Sequence, residues 1–243
     1  MLAIFKREFS SFFTSPIAYL VIGLFLLLTG LFLWVFGGVF NIPEYGFADL
    51  GNFFLLAPWV FLFLIPAITM KSIAEERKSG TIELLLIKPI SVARIVGGKF
   101  LAAFGLVIVA LLPTLLYAYT IGQLGATPWN YDSGMMLGSY FGLLFLVSAY
   151  AAIGIFASSL TDNQVVSFIG SLVLCFIFYY GFEALSTLFS DGNSVLFVKN
   201  LGMMSRVENM AGGLLDTRDI IYFLSLTFIF LYLASLQLKN LRR

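Results

Sequence analysis

Residues 71–99, KSIAEERKSGTIELLLIKPISVARIVGGK, concentrate charge in a chain that is otherwise mostly apolar. Nine charged residues fall within them: Lys71, Glu75, Glu76, Arg77, Lys78, Glu83, Lys88, Arg94 and Lys99. Long apolar segments precede and follow this stretch. A membrane protein that gathers its charge in one loop usually contacts a soluble partner through it. We therefore interpret the chain as a membrane body that is operated through this loop.

The composition indicates an all-α polytopic membrane protein. The chain has 243 residues, of which 60% are hydrophobic and 11% are charged, and its mean hydropathy is +0.98. A soluble domain carries about 25% charged residues. A helix needs about 20 apolar residues to cross a bilayer, and several segments reach that length. A transmembrane β-barrel would show short alternating segments, which the sequence lacks.

Six apolar segments predict six transmembrane helices within a single domain, residues 1–243. The segments are at about residues 17–40, 53–70, 97–121, 135–160, 165–187 and 219–238. Residues 71–96 form the charged loop between the second and third spans, and residues 188–218 form a mixed polar and apolar segment before the last span. With six spans, both termini and the charged loop share one side of the membrane.

The distribution of Lys and Arg predicts which side that is. Eleven basic residues belong to the termini and the charged loop, and three belong to the other side. Basic residues accumulate in cytoplasmic loops. We therefore expect both termini and the charged loop to be cytoplasmic, and residues 188–218 to lie at the outer face.

Residues 2–13, LAIFKREFSSFF, predict an amphipathic helix within residues 1–15. At 100° per residue, one face carries Leu2, Phe5, Phe9, Phe12 and Phe13, and the opposite face carries Lys6, Arg7, Glu8, Ser10 and Ser11. Such a helix lies in the membrane interface with its aromatic face towards the lipid. An ordinary helix end before a span is the alternative.

The charged loop predicts two short helices. Gly80 breaks a cytoplasmic extension of the second span, and residues 81–87 form a short helix with Glu83 in its first turn, where a carboxylate suits the helix dipole. Pro89 ends that helix, and Ser91 can cap the next one.

Three consecutive leucines, Leu84, Leu85 and Leu86, would lie at the cytoplasmic surface. Exposed apolar patches usually mark contacts, so we expect these leucines to meet a partner or the lipid interface. A charged hairpin with no partner is the alternative.

Small residues recur at intervals of four in the fourth span, at Gly134, Gly138 and Gly142. Small residues at this spacing let helix backbones approach closely. The spacing serves packing within the chain or against a second copy, and both alternatives remain open.

The sequence contains no recognisable catalytic, cofactor or metal site. It has no His and one Cys, Cys175. Gly98-Lys99 is followed by Phe100, and Ala93 stands where a P-loop requires its first Gly. The net charge of +1 indicates no nucleic-acid partner.

Glu183 is the one ionisable residue well inside a predicted span, near its outer boundary. We expect an interfacial carboxylate there, because a carboxylate at the bilayer centre is costly. A secondary transporter that uses Glu183 is the alternative.

The segments EERKSGTIELL (residues 75–85) and KPIS (residues 88–91), with Gly98-Lys99, resemble the ABC-2 type permeases, the membrane subunits of ATP-driven exporters. The resemblance implies the ABC-2 type exporter fold, six spans, and a cytoplasmic coupling helix that docks on a separate ABC ATPase subunit. The coupling residues implied are Glu75, Glu76, Gly80, Thr81, Glu83, Leu84, Leu85, Lys88, Pro89 and Ser91.

More narrowly, residues 5–19, FKREFSSFFTSPIAY, and residues 212–222, GGLLDTRDIIY, are similar to permease subunits of gliding-motility-associated ABC transporters. Copper-site maturation permeases share much of this pattern. The similarity implies a bacterial inner-membrane location, a second permease subunit that is the same or a similar chain, and an additional membrane subunit. A non-transporting scaffold of an envelope machine is a further alternative.

Overall fold

The computed structural model describes residues 1–46, 49–87, 90–125, 129, 131–213 and 216–241, and every regular element within these ranges is helical. The helices are α1 (Leu2–Thr14), α2 (Ile17–Gly30), α3 (Ile42–Tyr45), α4 (Gly51–Thr69), α5 (Ala74–Lys78), α6 (Thr81–Ile87), α7 (Val92–Leu111), α8 (Leu115–Leu124), α9 (Ser133–Leu160), α10 (Gln164–Phe176), α11 (Phe182–Ser186), α12 (Gly192–Lys199), α13 (Met203–Ala211) and α14 (Thr217–Leu241). Single turns of π- or 3₁₀-helix at Leu31–Val35, Leu112–Thr114 and Ile177–Gly181 extend or join them.

Six of these helical segments are long and apolar enough to cross a membrane, as the sequence predicts. They are Ile17–Val35, Gly51–Lys78, Val92–Leu124, Ser133–Leu160, Gln164–Ser186 and Thr217–Leu241. The first segment ends at Val35 rather than near residue 40, because Phe36 turns to an extended conformation and Gly38 takes a φ of +132°. The third begins at Val92, which lies inside the predicted charged loop, residues 71–96.

The second and fourth spans are the centre of the bundle. About three quarters of each is buried within the chain (72%), whereas the first, fifth and sixth spans are 28%, 22% and 33% buried. Helix α9 contacts α4, α7, α10, α13 and α14. The apolar side chains that point away from this centre suit contact with lipid, because the bilayer core solvates apolar surface.

One end of the bundle, called the loop end below, gathers the charged loop with both ends of the chain. A buried apolar cluster there joins side chains of α1, the charged loop, α7, α9 and α14: Ile4, Ile73, Ile82, Leu85, Val92, Ile95, Val96, Ile155, Ala234 and Leu238. The other end, called the far end, carries α3, α12 and α13. The mixed polar and apolar segment at residues 188–218 therefore includes two short helices, α12 and α13.

Helix α1 packs on α7. Its buried side chain is Ile4, which the predicted aromatic face omits, whereas Leu2 is 79% exposed. Gly98 makes the contact close, since a Cβ there would lie 2.9 Å from Ile4 Cβ. The amphipathic helix thus exists as predicted. It packs on the protein body through Ile4 and also through Phe9 of the predicted face, whose ring lies 3.4 Å from the Cβ position of Gly105 on α7.

Candidate functional site

The charged loop folds into two short helices that meet at a sharp corner. Gly80 separates α5 from α6 with a φ of +70°, a conformation that residues with a Cβ rarely adopt. The hydroxyl of Ser79 donates to Glu75 O at 2.8 Å and lies 2.9 Å from the hydroxyl of Thr81. These local bonds fix the corner between the two helices.

The turn between α4 and α5 is held by a single serine of α9. Ser158 is fully buried, and its hydroxyl donates to Met70 O at 3.0 Å. The same oxygen accepts from the backbone N–H groups of Ile73 and Ala74, each at 3.0 Å. One hydroxyl therefore satisfies three backbone groups at the point where the second span passes into the charged loop.

A second link to α9 runs from Arg77, whose Nη1 donates to Ser159 O at 2.6 Å. Helix α5 is thus tied to the end of α9 at two adjacent serines. A displacement of α5 must strain these bonds or move the end of α9 with it.

Lys99 lies at the centre of an ion-pair cluster under the loop. Its side chain is 1% exposed, and its Nζ donates to Ser72 O at 2.7 Å. The same ammonium group lies 3.1 Å from Glu8 Oε1 and 3.0 Å from Glu76 Oε1. Because a buried charge is costly unless it is paired, the two carboxylates are what allow Lys99 to be buried.

Arg7 completes the cluster on the exposed side. Its guanidinium pairs with Glu76 Oε1 at 2.9 Å and also with Glu8. The bond to Glu8 is the main reason that the pKa of Arg7 is raised above its ordinary value. Together with Lys99, the cluster contains two cations and two anions. It joins α1, α5 and α7 without net charge.

Glu76 therefore faces the membrane body. The family resemblance implies that Glu76 meets a partner, but its Oε1 pairs with Arg7 and Lys99. Its Oε2 is buried and has no hydrogen-bond partner among the described residues. The physical reason is the helix geometry of α5, which points Glu76 inward while its neighbour Glu75 stays exposed.

The side of the loop that faces outward carries Glu75, Gly80, Thr81 and Glu83, all of them exposed. Ser91 is also exposed and occupies the N-cap position of α7, but its side chain makes no capping hydrogen bond. Of the predicted partner-binding residues, these five are accessible in the structure.

The apolar side chains of α6 are not all exposed, as a leucine surface for a partner would require. Leu85 is 7% exposed and packs with Ile82 in the apolar cluster at the loop end, so it is not available to a partner. Ile87, the last residue of α6, is 78% exposed instead. Lys88, Pro89 and the side chains of Leu84 and Leu86 lie outside the described residues.

The glycines of α9 face the far-end helix α13. A Cβ at Gly138 would lie 2.6 Å from Met210 O, and one at Gly142 would lie 3.0 Å from Met210 Cβ. Gly134 is exposed, and the one atom near its Cβ position belongs to Asp132 of the preceding turn. The close packing therefore lies within the chain and begins at Gly138 rather than Gly134.

Glu183 lies at the start of α11 and pairs with Lys199, at the end of α12. This hydrogen bond is the main cause of the raised pKa of Lys199. The pairing places Glu183 at the far end, beside a cation on a short connecting helix, as an interfacial carboxylate would be.

Three residues at the loop end were not selected from the sequence: Glu8, Ser158 and, as the centre of a cluster, Lys99. One signal was present, since Lys99 follows Gly97 and Gly98 where an apolar helix begins. Adjacent glycines at that place admit another helix, and the charge next to them requires a partner. Ser158 continues, with Gly154, the four-residue spacing of small residues on α9, and Ser159 does not, but that spacing does not predict the hydrogen bonds of Ser158.

Six apolar helices, with two short charged helices bonded beneath them, define a multi-pass helical membrane protein. The chain belongs to the ABC-2 family of transporter proteins, because the family model described as "ABC-2 family transporter protein" matches residues 2–234. A comparison with curated proteins gave no match. Proteins of this family are membrane components of transporters, generally not catalytic themselves, and they generally work with an ABC ATPase in a lipid membrane.

Proposed function

We propose that the chain is the permease subunit of an ATP-driven ABC-2 exporter, and that a separate ATPase subunit docks on α5 and α6. The observation that carries this proposal is the construction of the loop end. Exposed carboxylates of Glu75 and Glu83 project from two short helices, while the inner side of the same loop is bonded to α1, α7 and α9. Membership of the ABC-2 family supports the same function.

The outward side chains give the docking surface its chemistry. Glu75 and Glu83 would pair with cationic groups of the ATPase, and the exposed Ile87 would add an apolar contact beside them. Gly80 lets the two helices meet at the corner that presents both carboxylates. Glu76 lies on the inner side of the loop. It would not contact the ATPase, and it would pass the displacement of α5 to Arg7 and Lys99.

The inner bonds supply a route for the motion. Closure of the ATPase on its nucleotides would push α5 and α6 as one body. Ser158 and Arg77 would carry the displacement to α9, and the Lys99 cluster would carry it to α1 and α7. Rigid-body movement across packed interfaces is a recognised mode of switching. The ATPase performs the hydrolysis, and this chain turns the movement into opening of the membrane body.

The orientation follows from the same proposal. The loop end is cytoplasmic, as the excess of basic residues at the termini and charged loop indicates, and both termini are on that side. The protein is then a subunit of a bacterial inner membrane complex, with residues 188–218 at the outer face.

The finer assignment is to the gliding-motility-associated group. The segments FKREFSSFFTSPIAY and GGLLDTRDIIY support it by their similarity to that group. A second permease, identical or similar, and an additional membrane subunit would complete the complex. Their identification by mass spectrometry after purification from the native membrane tests this assignment.

The docking surface is tested by charge reversal. The chain is purified with its ATPase in mild detergent, and ATP hydrolysis and co-purification are measured for Glu83→Lys. The expected result is loss of both, with unchanged membrane insertion. The control is Asp162→Lys, which makes the same charge change at an exposed residue between α9 and α10. Normal hydrolysis and co-purification in Glu83→Lys would refute docking through α6.

A further inference from the structure

The far end of the bundle contains a cavity of about 360 Å³ that is distinct from the loop end. Its volume lies within the range of small-molecule sites. Leu50, Phe54, Ala118 and Ile121 contribute to its lining and are all less than a tenth exposed, so they form its floor. The floor is the part of the cavity that would exclude water from a bound apolar group.

The buried serine of the lining already has a hydrogen-bond acceptor within the chain. Ser139 lines the cavity, and its Oγ is close to Met135 O at 2.9 Å and Ala211 O at 3.4 Å. A ligand with many hydroxyl groups would therefore lose its bonds to water without gaining equivalent bonds at the floor.

The rim of the cavity has the opposite character. Asp49, Asp132 and Glu208 line it, and all three are exposed. Asp49 Oδ1 accepts from the backbone N–H of Gly51, and Asp132 Oδ1 accepts from that of Met135. The second carboxylate oxygen, Oδ2, of Asp49 and of Asp132 takes no part in these two bonds.

Glu208 differs from Asp49 and Asp132, whose carboxylates accept hydrogen bonds from backbone N–H groups. Its carboxylate makes no hydrogen bond to the described residues. Partial burial, and then the charge of Glu183, raise its pKa above the ordinary value. The ammonium of Lys199 opposes this rise, but it is engaged by Glu183. Excess negative charge therefore remains at Glu208, beside an apolar floor.

The lining narrows the class of ligand. No basic side chain belongs to the described lining, so an anion would be repelled. Among the described residues, no three carboxylate, His or Cys groups lie close enough together to hold a metal ion. An apolar floor under carboxylates suits a ligand with an apolar body and one positive charge.

We propose that this cavity binds organic cations that carry an apolar body, such as aryl- or alkylammonium compounds. The body lies against Phe54 and Ile121, and the ammonium group lies between the carboxylates of the rim. The inference concerns binding by this chain alone, so it stands or fails separately from the docking of an ATPase at the opposite end.

The test is calorimetric titration of the purified chain in a non-ionic maltoside detergent. The probe is benzyltrimethylammonium, and benzenesulfonate is the anionic comparison. The expected result is saturable binding of the cation that weakens at high salt, with no binding of the anion. Glu208→Gln should weaken binding of the cation about two- to five-fold, the range of partly exposed ion pairs.

The matched control is Asp191→Asn. Asp191 is an exposed carboxylate at the same end that caps α12 and does not line the cavity, and Asn caps helices equally well. Binding by this variant should equal that of the unchanged chain. The proposal is overturned if benzyltrimethylammonium does not bind, if benzenesulfonate binds as tightly, or if Asp191→Asn weakens binding as much as Glu208→Gln.

Discussion

The ammonium of Lys99 lies 3.0 Å from Glu76 Oε1, across the junction between the charged loop and the third span. The two residues are 23 positions apart in the sequence, and Lys99 is buried while Glu76 is mostly so. Together they fix the position of α5 relative to α7. The contact converts a loop that could move freely into one that moves with the membrane body.

Removal of the buried cation should destabilise the protein severely. Lys99→Met leaves the exposed guanidinium of Arg7 as the cation that Glu8 and Glu76 still share. Removal of the buried partner from such a pair costs about 3–5 kcal/mol. The midpoint of thermal unfolding in detergent measures the loss. The control is Lys71→Met, a lysine of the same loop that is only half-buried and has no ion pair among the described residues. Equal midpoints in the two variants would show that the cluster contributes nothing.

Ser158 and Ser159 should differ sharply although both are buried serines at the end of α9. Ser158→Ala leaves Met70 O and two backbone N–H groups without their partner, and each unsatisfied buried group costs about 1–3 kcal/mol. Ser159→Ala loses one bond within its own helix, to Phe156 O, which is worth about 0.5–1.5 kcal/mol.

Hydrogen exchange of individual backbone amides shows where each of the two variants loses hydrogen bonds. In Ser158→Ala, the amides of Ile73 and Ala74 should exchange faster, because their acceptor is gone. In Ser159→Ala they should keep their protection. Faster exchange of these amides in both variants would contradict the assignment of the link to Ser158.

The parts that were predictable from the sequence are those set by local patterns. Six long apolar segments require helices wherever they lie, and Gly80 requires a break because of its backbone freedom. The helices on either side of Gly80 follow from residues within a few positions of one another. The direction of each side chain on those helices depends on what packs against them, and the sequence alone does not contain that information.

Glu75 and Glu76 illustrate the limit. As adjacent carboxylates they have the same local pattern, yet one is exposed and the other is held by Lys99 and Arg7. The difference arises because Gly98 lets α1 approach α7, which brings Arg7 and Glu8 to the loop. A contact between elements about 90 residues apart thus decides the role of Glu76.

The far-end cavity should make stability depend on pH through Glu208. Its pKa is raised by partial burial and by Glu183. A raised pKa means that the folded chain binds the proton more tightly than the unfolded chain does. The resulting stabilisation is complete below the ordinary carboxyl pKa and is lost as the pH rises through the raised pKa.

Glu208→Gln removes that dependence. At neutral pH the variant should unfold at an equal or higher temperature than the unchanged chain. The difference between the two unfolding temperatures should disappear as the pH falls through the raised pKa towards 4.5, the ordinary value. Thermal unfolding from pH 4 to pH 8 measures this, over a range set by the ordinary carboxyl pKa. A variant that loses stability at neutral pH relative to acid pH would show that the carboxylate is stabilising instead.

Gly98 should tolerate no side chain, because α1 lies directly on it. In Gly98→Ala the new Cβ would meet Ile4 Cβ at 2.9 Å, and such overpacking costs about 1–3 kcal/mol. Gly170→Ala is the control, since no atom lies within 4 Å of its Cβ position on α10. It should be neutral or stabilising, because Ala favours helices over Gly. The loss caused by Gly98→Ala should be smaller in an Ile4→Gly background than in the unchanged chain, because Ile4→Gly removes both side-chain atoms that lie 2.9 Å from the new methyl group. An equal loss in the two backgrounds would mean that the contact between α1 and α7 does not limit the size of residue 98.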